Sequence, residues 1–127
     1  MELDDKDFAL INQDVSYDNN DGQNGTHWVG IKRDKNKLIY FDSFLMPPLN
    51  EVRKYAKDNS LELYFLDDNN NPHNTIQADE STLCGYYTVI FFNKVNNLKD
   101  LKKFSKIYTR NKPFENEKKV IEELNLI

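Results

Sequence analysis

The alternation of apolar and polar positions along the chain predicts a mixture of strands and helices. Short apolar runs predict strands over residues 8–11, 27–32, 37–41 and 61–66. Apolar positions that recur at helical spacing predict helices over residues 49–58, 84–95, 98–108 and 115–124. The segment 84–95 is apolar nearly all round, which is typical of a buried central helix. Polar stretches over residues 19–25 and 67–75 are expected to be loops.

Length and charge limit the function classes that need consideration. The chain has 127 residues, the ordinary size of one domain, and 39% of them are hydrophobic. A formal charge of −4 provides no overall attraction for nucleic acid or anionic lipid. The sequence has no apolar run of roughly 20 residues, and its acidic start is unlike a signal peptide. We therefore expect a soluble, intracellular protein without a membrane partner.

The single cysteine restricts the metal and redox chemistry that the sequence can support. One thiol cannot form an internal disulfide or a zinc site of several thiolates. The two histidines and the scattered carboxylates have no recognisable zinc spacing. The sequence thus predicts neither a metal site nor a cofactor, and Cys84 serves either packing or chemistry.

The second and third strands are predicted to form a hairpin that brings a histidine to a carboxylate. With the polar turn centred within residues 33–36, His27 lies opposite Asp42 and Val29 lies opposite Tyr40. A slip of one residue would send the carboxylate to the other face of the sheet. A lone histidine at the start of a strand is commonly structural, but a facing carboxylate favours a catalytic role.

The cysteine stands where a helix is expected to begin. Ser81 and Thr82 can cap that helix, and unpaired N–H groups at its start lower the pKa of a thiol. Gly85 leaves room for a substrate carbonyl, and the backbone N–H of Cys84 with the Gln77 amide can bind an oxyanion. The alternative is that Cys84 is a small buried hydrophobe and Gln77 a loop residue.

Four motifs occur in an order that is characteristic of one protease family. They are Gly25-Thr26-His27-Trp28, then Ile39-Tyr40-Phe41-Asp42-Ser43-Phe44, then Gln77, and then Cys84-Gly85-Tyr86-Tyr87. Over residues 8–95 the sequence resembles the adenovirus-protease and Ulp-like cysteine peptidases, and within them the proteases of virophages and Polinton-type elements. The four motifs together are far more specific than any one of them.

The resemblance implies an α+β fold of the adenovirus-protease type over residues 1–127, with a small mixed sheet packed on the helix that carries the nucleophile. It implies that Cys84 forms the acyl-enzyme, His27 is the general base and acid, Asp42 orients His27, and Gln77 stabilises the oxyanion. The implied task is cleavage of capsid precursors during maturation, often after a small residue such as glycine. The implied location is the virion or the host-cell cytoplasm, without secretion.

The sequence also differs from the family in two respects. Relatives have additional sequence before residues 8–12, so part of the substrate cleft or of an activating segment is expected to be absent. Adenoviral enzymes tether a peptide cofactor by a disulfide, which here would consume Cys84, the only thiol. That route of activation is not expected.

Three other functions stay open on the sequence. The same residue order occurs in proteases that remove ubiquitin-like modifiers, and an acyl-cysteine can also pass its group to an amine or hydroxyl. A shortened, inactive module that only binds a precursor tail is the alternative outside enzymes. The oligomeric state cannot be predicted from the sequence.

A few further residues are assigned with alternatives. Trp28 is expected either to line the substrate cleft, with Gly25 and Gly85, or to belong to the core. His73, in an Asn-rich loop, is expected to be exposed and noncatalytic. A basic strip can contact nucleic acid or form a solvated helix face; it comprises Lys99, Lys102, Lys103, Lys106, Arg110 and Lys112.

Overall fold

The strands and helices follow one another along the chain in the predicted order. A computed structural model describes residues 3–15, 25–67, 75–77, 83–110 and 112–124. Within these residues, the α+β class is confirmed by four strands and four helices. The strands are β1 (Phe8–Val15), β2 (Gly25–Asp34), β3 (Lys37–Phe41) and β4 (Glu62–Phe65). The helices are α1 (Asn50–Asp58), α2 (Cys84–Lys94), α3 (Leu98–Ile107) and α4 (Pro113–Leu124).

The strands form one mixed sheet in the order β1-β2-β3-β4. The pairs β1–β2 and β2–β3 are antiparallel, whereas β3 and β4 are parallel. A parallel pair needs a crossover connection, and α1 supplies it between β3 and β4. The predicted mixed sheet is therefore confirmed.

The register of the β2–β3 hairpin differs from the predicted one by two residues. Ile31 pairs with Tyr40, and Asp34 pairs with Lys37, so only Lys35 and Asn36 form the turn. Lys35 has a left-handed φ of 56°, which such a tight turn requires at a central position. The prediction of a four-residue turn was wrong, and so was the directly opposed pair of His27 and Asp42. Because the shift is even, every side chain keeps its predicted face.

The two faces of the sheet carry separate hydrophobic cores. On one face, Val29 and Ile31 pack with Leu38 and with Val52 of α1. On the other face, most of the buried side chains belong to β3 and to the three later helices; they include Ile39, Phe41, Tyr87, Phe91, Phe104 and Val120. The sheet is therefore a partition, with α1 on one side and α2, α3 and α4 on the other.

The contact between β2 and α2 is close because a glycine stands at the crossing point. A Cβ built on Gly30 would lie 2.7 Å from Thr88 Cγ2 and 3.1 Å from the Phe92 ring. A larger residue there would require the side chains of Thr88 and Phe92 to shift. Gly30 thus sets the distance between the strand that carries His27 and the helix that begins with Cys84.

Two sequence predictions, on the burial of α2 and on the start of β2, need correction. Helix α2 is not buried all round, because the sheet, α3 and α4 cover one side and leave Tyr86 44% and Val89 42% exposed. Gly25 begins β2 and does not end a loop. No helix in the described part of the chain is both long and apolar enough to cross a bilayer.

Candidate active site

The histidine and the aspartate predicted to interact do form a buried pair. The distance between His27 Nε2 and Asp42 Oδ1 is 2.7 Å, and both side chains are buried. Asp42 follows the last residue of β3, and its Oδ1 also accepts a hydrogen bond from the backbone N–H of Phe44 at 2.8 Å. The β2–β3 pairs end at Gly30 and Phe41, and Asp42 begins a turn closed by a hydrogen bond from the Leu45 N–H to the Asp42 carbonyl. The carboxylate therefore reaches the imidazole from a turn and not from a paired strand.

Phe44 lies in the turn that follows β3 and also contacts His27. Its ring lies against the imidazole of His27, with 4.9 Å between the ring centroids. An aromatic ring in this position shields one side of the imidazole from water and restricts its rotation. This contact could not be predicted from the sequence, because it depends on how the segment after β3 turns.

Cys84 is the first residue of α2 and is buried. The N-cap residue is Leu83, which makes no side-chain capping bond to the helix. The two residues predicted to cap the helix, Ser81 and Thr82, lie outside the described residues. Because the helix begins at the cysteine, the dipole and the first N–H groups act on the sulfur.

The electrostatics of the site favour a negative thiol beside a positive imidazole. Burial raises the pKa of the Cys84 thiol, but hydrogen bonds from His27 and from the backbone N–H groups of Trp28 and Gly85 outweigh it. The pKa of the thiol therefore lies below its ordinary value. Burial lowers the pKa of His27, but hydrogen bonds to Asp42 and Cys84 outweigh that effect and raise the pKa to about 9.

The two ring nitrogens of His27 have different partners. Since Nε2 is hydrogen-bonded to Asp42, Nδ1 is the nitrogen available to the Cys84 sulfur. An imidazole held in this way can take a proton from the thiol and return it to another atom near the sulfur. The arrangement provides a nucleophile, a base and a group that orients the base.

Ser43, the residue after Asp42, contacts Gln77 through both its side chain and its backbone. Gln77 is 1% exposed, and Ser43, which is fully buried, donates its hydroxyl hydrogen bond to Gln77 Oε1. The backbone carbonyl of Ser43 accepts hydrogen bonds from the N–H groups of Ile76 and Gln77, both at 3.0 Å. Ser43 directly follows Asp42, so one short segment contacts both the histidine and the glutamine.

The C-terminal helix α4 also holds the Gln77 segment. Asn116 is fully buried, and its Nδ2 donates to the backbone carbonyls of Ile76 at 3.0 Å and Thr109 at 2.7 Å. A second contact joins α4 to α2, where the Tyr87 hydroxyl donates to Glu117 Oε2 at 2.5 Å. Neither contact could be predicted from the sequence, because Ser43 and Asn116 bond residues more than 30 positions away.

The predicted substrate-binding residues lie on β2 and α2, beside Cys84 and His27, which together are called the dyad below. Trp28 is half-buried, and its Cδ1 would lie 3.7 Å from a Cβ built on Gly85. The tryptophan thus borders the space that Gly85 leaves open beside the sulfur. Gly25 pairs with Val15 at the start of β2, two residues before His27. The substrate contacts of these three residues stay predictions.

Of two further sequence features, the structure describes only one. His73 lies outside the described residues. The basic strip has exposed lysines on one helix, at 99, 102, 103 and 106 of α3. Arg110 of the strip lies 3.8 Å from Asp67, measured from Nη1 to Oδ1. In the described ranges no cluster of three or more histidine, cysteine, aspartate or glutamate side chains could hold a metal ion.

Comparison with known proteins returned no relative. No family model, no curated protein and no solved structure matches the chain. The geometry of the site and the motif order are therefore the observations that indicate a function.

Proposed function

We propose that this chain is a cysteine peptidase with the adenovirus-protease and Ulp-like fold. The observation that carries the proposal is the buried pair of His27 and Asp42, joined through Nε2 of the imidazole, with the Cys84 thiol beside the same ring. A buried packing cysteine would not need an imidazole and two backbone N–H groups directed at its sulfur. The combination matches the requirements of a thiol nucleophile at neutral pH.

In the first half of the reaction, the Cys84 thiolate attacks the carbonyl carbon of the scissile peptide bond. The new carbon–sulfur bond produces a tetrahedral oxyanion, for which the backbone N–H of Cys84 and the side chain of Gln77 serve as donors. His27 then gives its Nδ1 proton to the leaving amine as the carbon–nitrogen bond breaks. The product is a thioester on Cys84 and a free amine.

In the second half, His27 acts as a base. It takes a proton from water, the resulting hydroxide attacks the thioester, and the carbon–sulfur bond breaks to release the acid. The proton on the imidazole then restores the thiolate–imidazolium pair. Asp42 keeps Nε2 as the protonated donor, so that Nδ1 faces the sulfur in the correct state.

The motif order supports a particular biological task. The sequence His27, Asp42, Gln77 and Cys84 is the order of the family that the chain resembles, and the α+β fold with its mixed sheet is compatible with that family. We therefore propose that the substrates are viral or virophage precursor proteins, cut during capsid maturation in the virion or the host-cell cytoplasm. A protein substrate is the only partner that the mechanism requires.

An activity-based probe tests the proposal most simply. A peptide that carries a thiol-reactive group should label Cys84 near neutral pH, and His27→Ala should abolish the labelling. His73→Ala is the matched control and should label like the original chain. A silent thiol in the original chain would contradict the peptidase and favour a binding module.

Substrate tests separate the peptidase from its rivals. Precursor coat proteins incubated with the chain should yield new termini by mass spectrometry, and Cys84→Ala should yield none. If the chain cleaves only after the Gly-Gly tail of a ubiquitin-like modifier, the result would instead favour a protease that removes such modifiers. Transfer of an acyl group to an added amine without hydrolysis would favour an acyltransferase.

A further inference from the structure

Phe44 contacts both members of the buried pair of His27 and Asp42. Its backbone N–H donates to Asp42 Oδ1 at 2.8 Å, the same oxygen that bonds His27 Nε2. Its ring centroid lies 4.9 Å from that of the imidazole, with 37° between the two planes. The two rings are therefore closer to a stacked than to an edge-on arrangement.

The turn that carries Phe44 is held in place by the residue that follows it. The N–H of Leu45 donates to the Asp42 carbonyl at 2.8 Å, and Leu45 adopts a left-handed φ of 55°. That conformation is unfavourable for a leucine, but burial of its side chain, 1% exposed in the core shared with α2, offsets the cost. The core therefore sets the location of the Phe44 ring before any substrate binds.

We propose that Phe44 is a positioning residue that keeps the imidazole of His27 turned toward Cys84 and favours its charged form, an inference that rests on the proposed role of His27 as acid and base. The stacked ring opposes rotation of the imidazole out of the plane that its bond to Asp42 selects. One residue thus fixes the carboxylate through its backbone and the imidazole through its side chain.

The preference for the charged form follows from the electrostatics of an aromatic ring. The face of the ring carries partial negative charge, so it attracts an imidazolium more strongly than a neutral imidazole. Among the described residues, the titratable groups that act on His27 are Asp42, in the turn after β3, and Cys84, at the start of α2. Its partner on β1, Gln13, does not titrate. Phe44 therefore adds an uncharged contribution of the same sign as that of Asp42.

Phe44→Leu keeps an apolar side chain against the imidazole but removes the aromatic face. The pKa of His27, raised to about 9 in the original chain, should fall by about half a unit to one unit in this variant. Phe44→Tyr keeps the ring and should hold that pKa within about 0.3 unit of the original. An NMR titration of the imidazole signals measures both changes and needs no activity.

The effect on turnover has a sign that the proposed mechanism fixes. The imidazolium donates a proton to the leaving amine, so a lower pKa of His27 shifts the basic limb of kcat to lower pH. At about pH 8, Phe44→Leu should lower kcat by about 3- to 10-fold with KM within about twofold. The midpoint of Cys84 alkylation by iodoacetamide should move less, because the imidazole is charged both before and after the thiol loses its proton.

Pentafluorophenylalanine at position 44 separates the charge of the ring face from its shape. The fluorinated ring has a similar shape but a positive face, so it should lower the pKa of His27 at least as far as Phe44→Leu does. Phe65→Leu is the matched control. Phe65 is also half-buried, its ring lies 5.9 Å from the guanidinium carbon of Arg53, and its strand β4 is separated from β2 by β3. This variant should leave the pKa of His27 and kcat unchanged.

Three results of the titration would overturn the proposal. They are an unchanged pKa of His27 in Phe44→Leu, an unchanged pKa with the fluorinated ring, and an equal fall in Phe65→Leu. A role in packing alone would give the first two results together with a lower free energy of unfolding in urea. If Phe44→Leu does not fold, the fluorinated and tyrosine variants decide by the same titration. If the original chain hydrolyses no peptide while the pKa changes as expected, the proposed function fails and the action of Phe44 on His27 stands.

Discussion

The two ends of α2 bury titratable groups of opposite character against the same strand. At the N-terminal end, the Cys84 thiol lies beside His27 of β2. At the C-terminal end, the ammonium of Lys32, also from β2, donates to the Phe92 carbonyl at 3.2 Å and to Asn96 Oδ1 at 2.6 Å. The helix dipole favours an anion at the first end and a cation at the second, so each end holds the charge that the helix prefers.

The difference between the two ends lies in what their partners can do. The two oxygens that accept from Lys32 have no proton to exchange with it, so the contact is structural. Cys84 and His27 can pass a proton between them, and their pKa values move in opposite directions, below and above the ordinary ones. In addition, Asp42 Oδ2 is buried without a hydrogen-bond partner among the described residues. Incompletely satisfied polar groups of this kind are often found at functional sites.

The largest expected effect comes from removing either member of the dyad. Cys84→Ala and His27→Ala should each lower kcat by about 10⁴-fold or more, because no covalent intermediate forms or no base serves it. Fluorogenic peptide assays would measure the loss. Turnover within tenfold of the original in either variant would contradict a catalytic role for the N-terminal end of α2.

Asp42→Asn is expected to cost about 10²-fold or more in kcat. An amide can accept from Nε2 but supplies no charge to hold the imidazolium, so the pKa of His27 should also fall. An NMR titration of the imidazole follows that pKa, and urea unfolding checks that the variant is folded. Unchanged turnover would exclude Asp42 from the mechanism.

A substitution of Gly30, which lies between the two ends of α2, tests how closely β2 packs on the helix. Gly30→Ala should lower the free energy of unfolding by about 1–3 kcal/mol, because the new Cβ would overlap the side chain of Thr88. Gly85→Ala is the matched variant, with its nearest contact to Trp28 at an ordinary 3.7 Å, and its fold should be retained. Equal loss of stability in the two variants, measured by urea unfolding, would contradict this account of the contact.

The smallest effect is expected at the lysine end. Burial and the charge of Lys6 lower the pKa of Lys32. The charged form of Lys32 is therefore expected to contribute little to the stability of the fold. Lys32→Met keeps the stem of the side chain and should change the free energy of unfolding by less than about 1 kcal/mol, with turnover within about twofold. A large loss of turnover in Lys32→Met would show that the two ends do not differ as described.

The pattern of apolar residues was sufficient to predict the order of the elements, because burial repeats locally at the period of a strand or helix. Turn length was not predictable, since Lys35 adopts a left-handed φ that its residue type does not favour. The contact between His27 and Asp42 was still predicted correctly, because a register shift of two residues keeps both side chains on one face of the sheet.

The supports of the site were not visible in the sequence. Ser43 contacts Gln77 and Asn116 contacts the Ile76 carbonyl across separations of 34 and 40 residues. Such contacts exist only once the sheet and helices have packed, and a buried serine or asparagine has no periodic pattern that would reveal it. The catalytic residue types could be inferred from the sequence, but the residues that hold them required the fold.

The pH dependence of Cys84 alkylation by iodoacetamide tests the central claim most directly. The pKa of the thiol is lowered and that of His27 is raised to about 9, so the thiolate–imidazolium pair should form below the ordinary thiol range and persist up to about pH 9. The alkylation midpoint should therefore lie below about 8.5 and rise in His27→Ala. A midpoint at or above about 8.5 that His27→Ala leaves unchanged would contradict the pairing of Cys84 with His27.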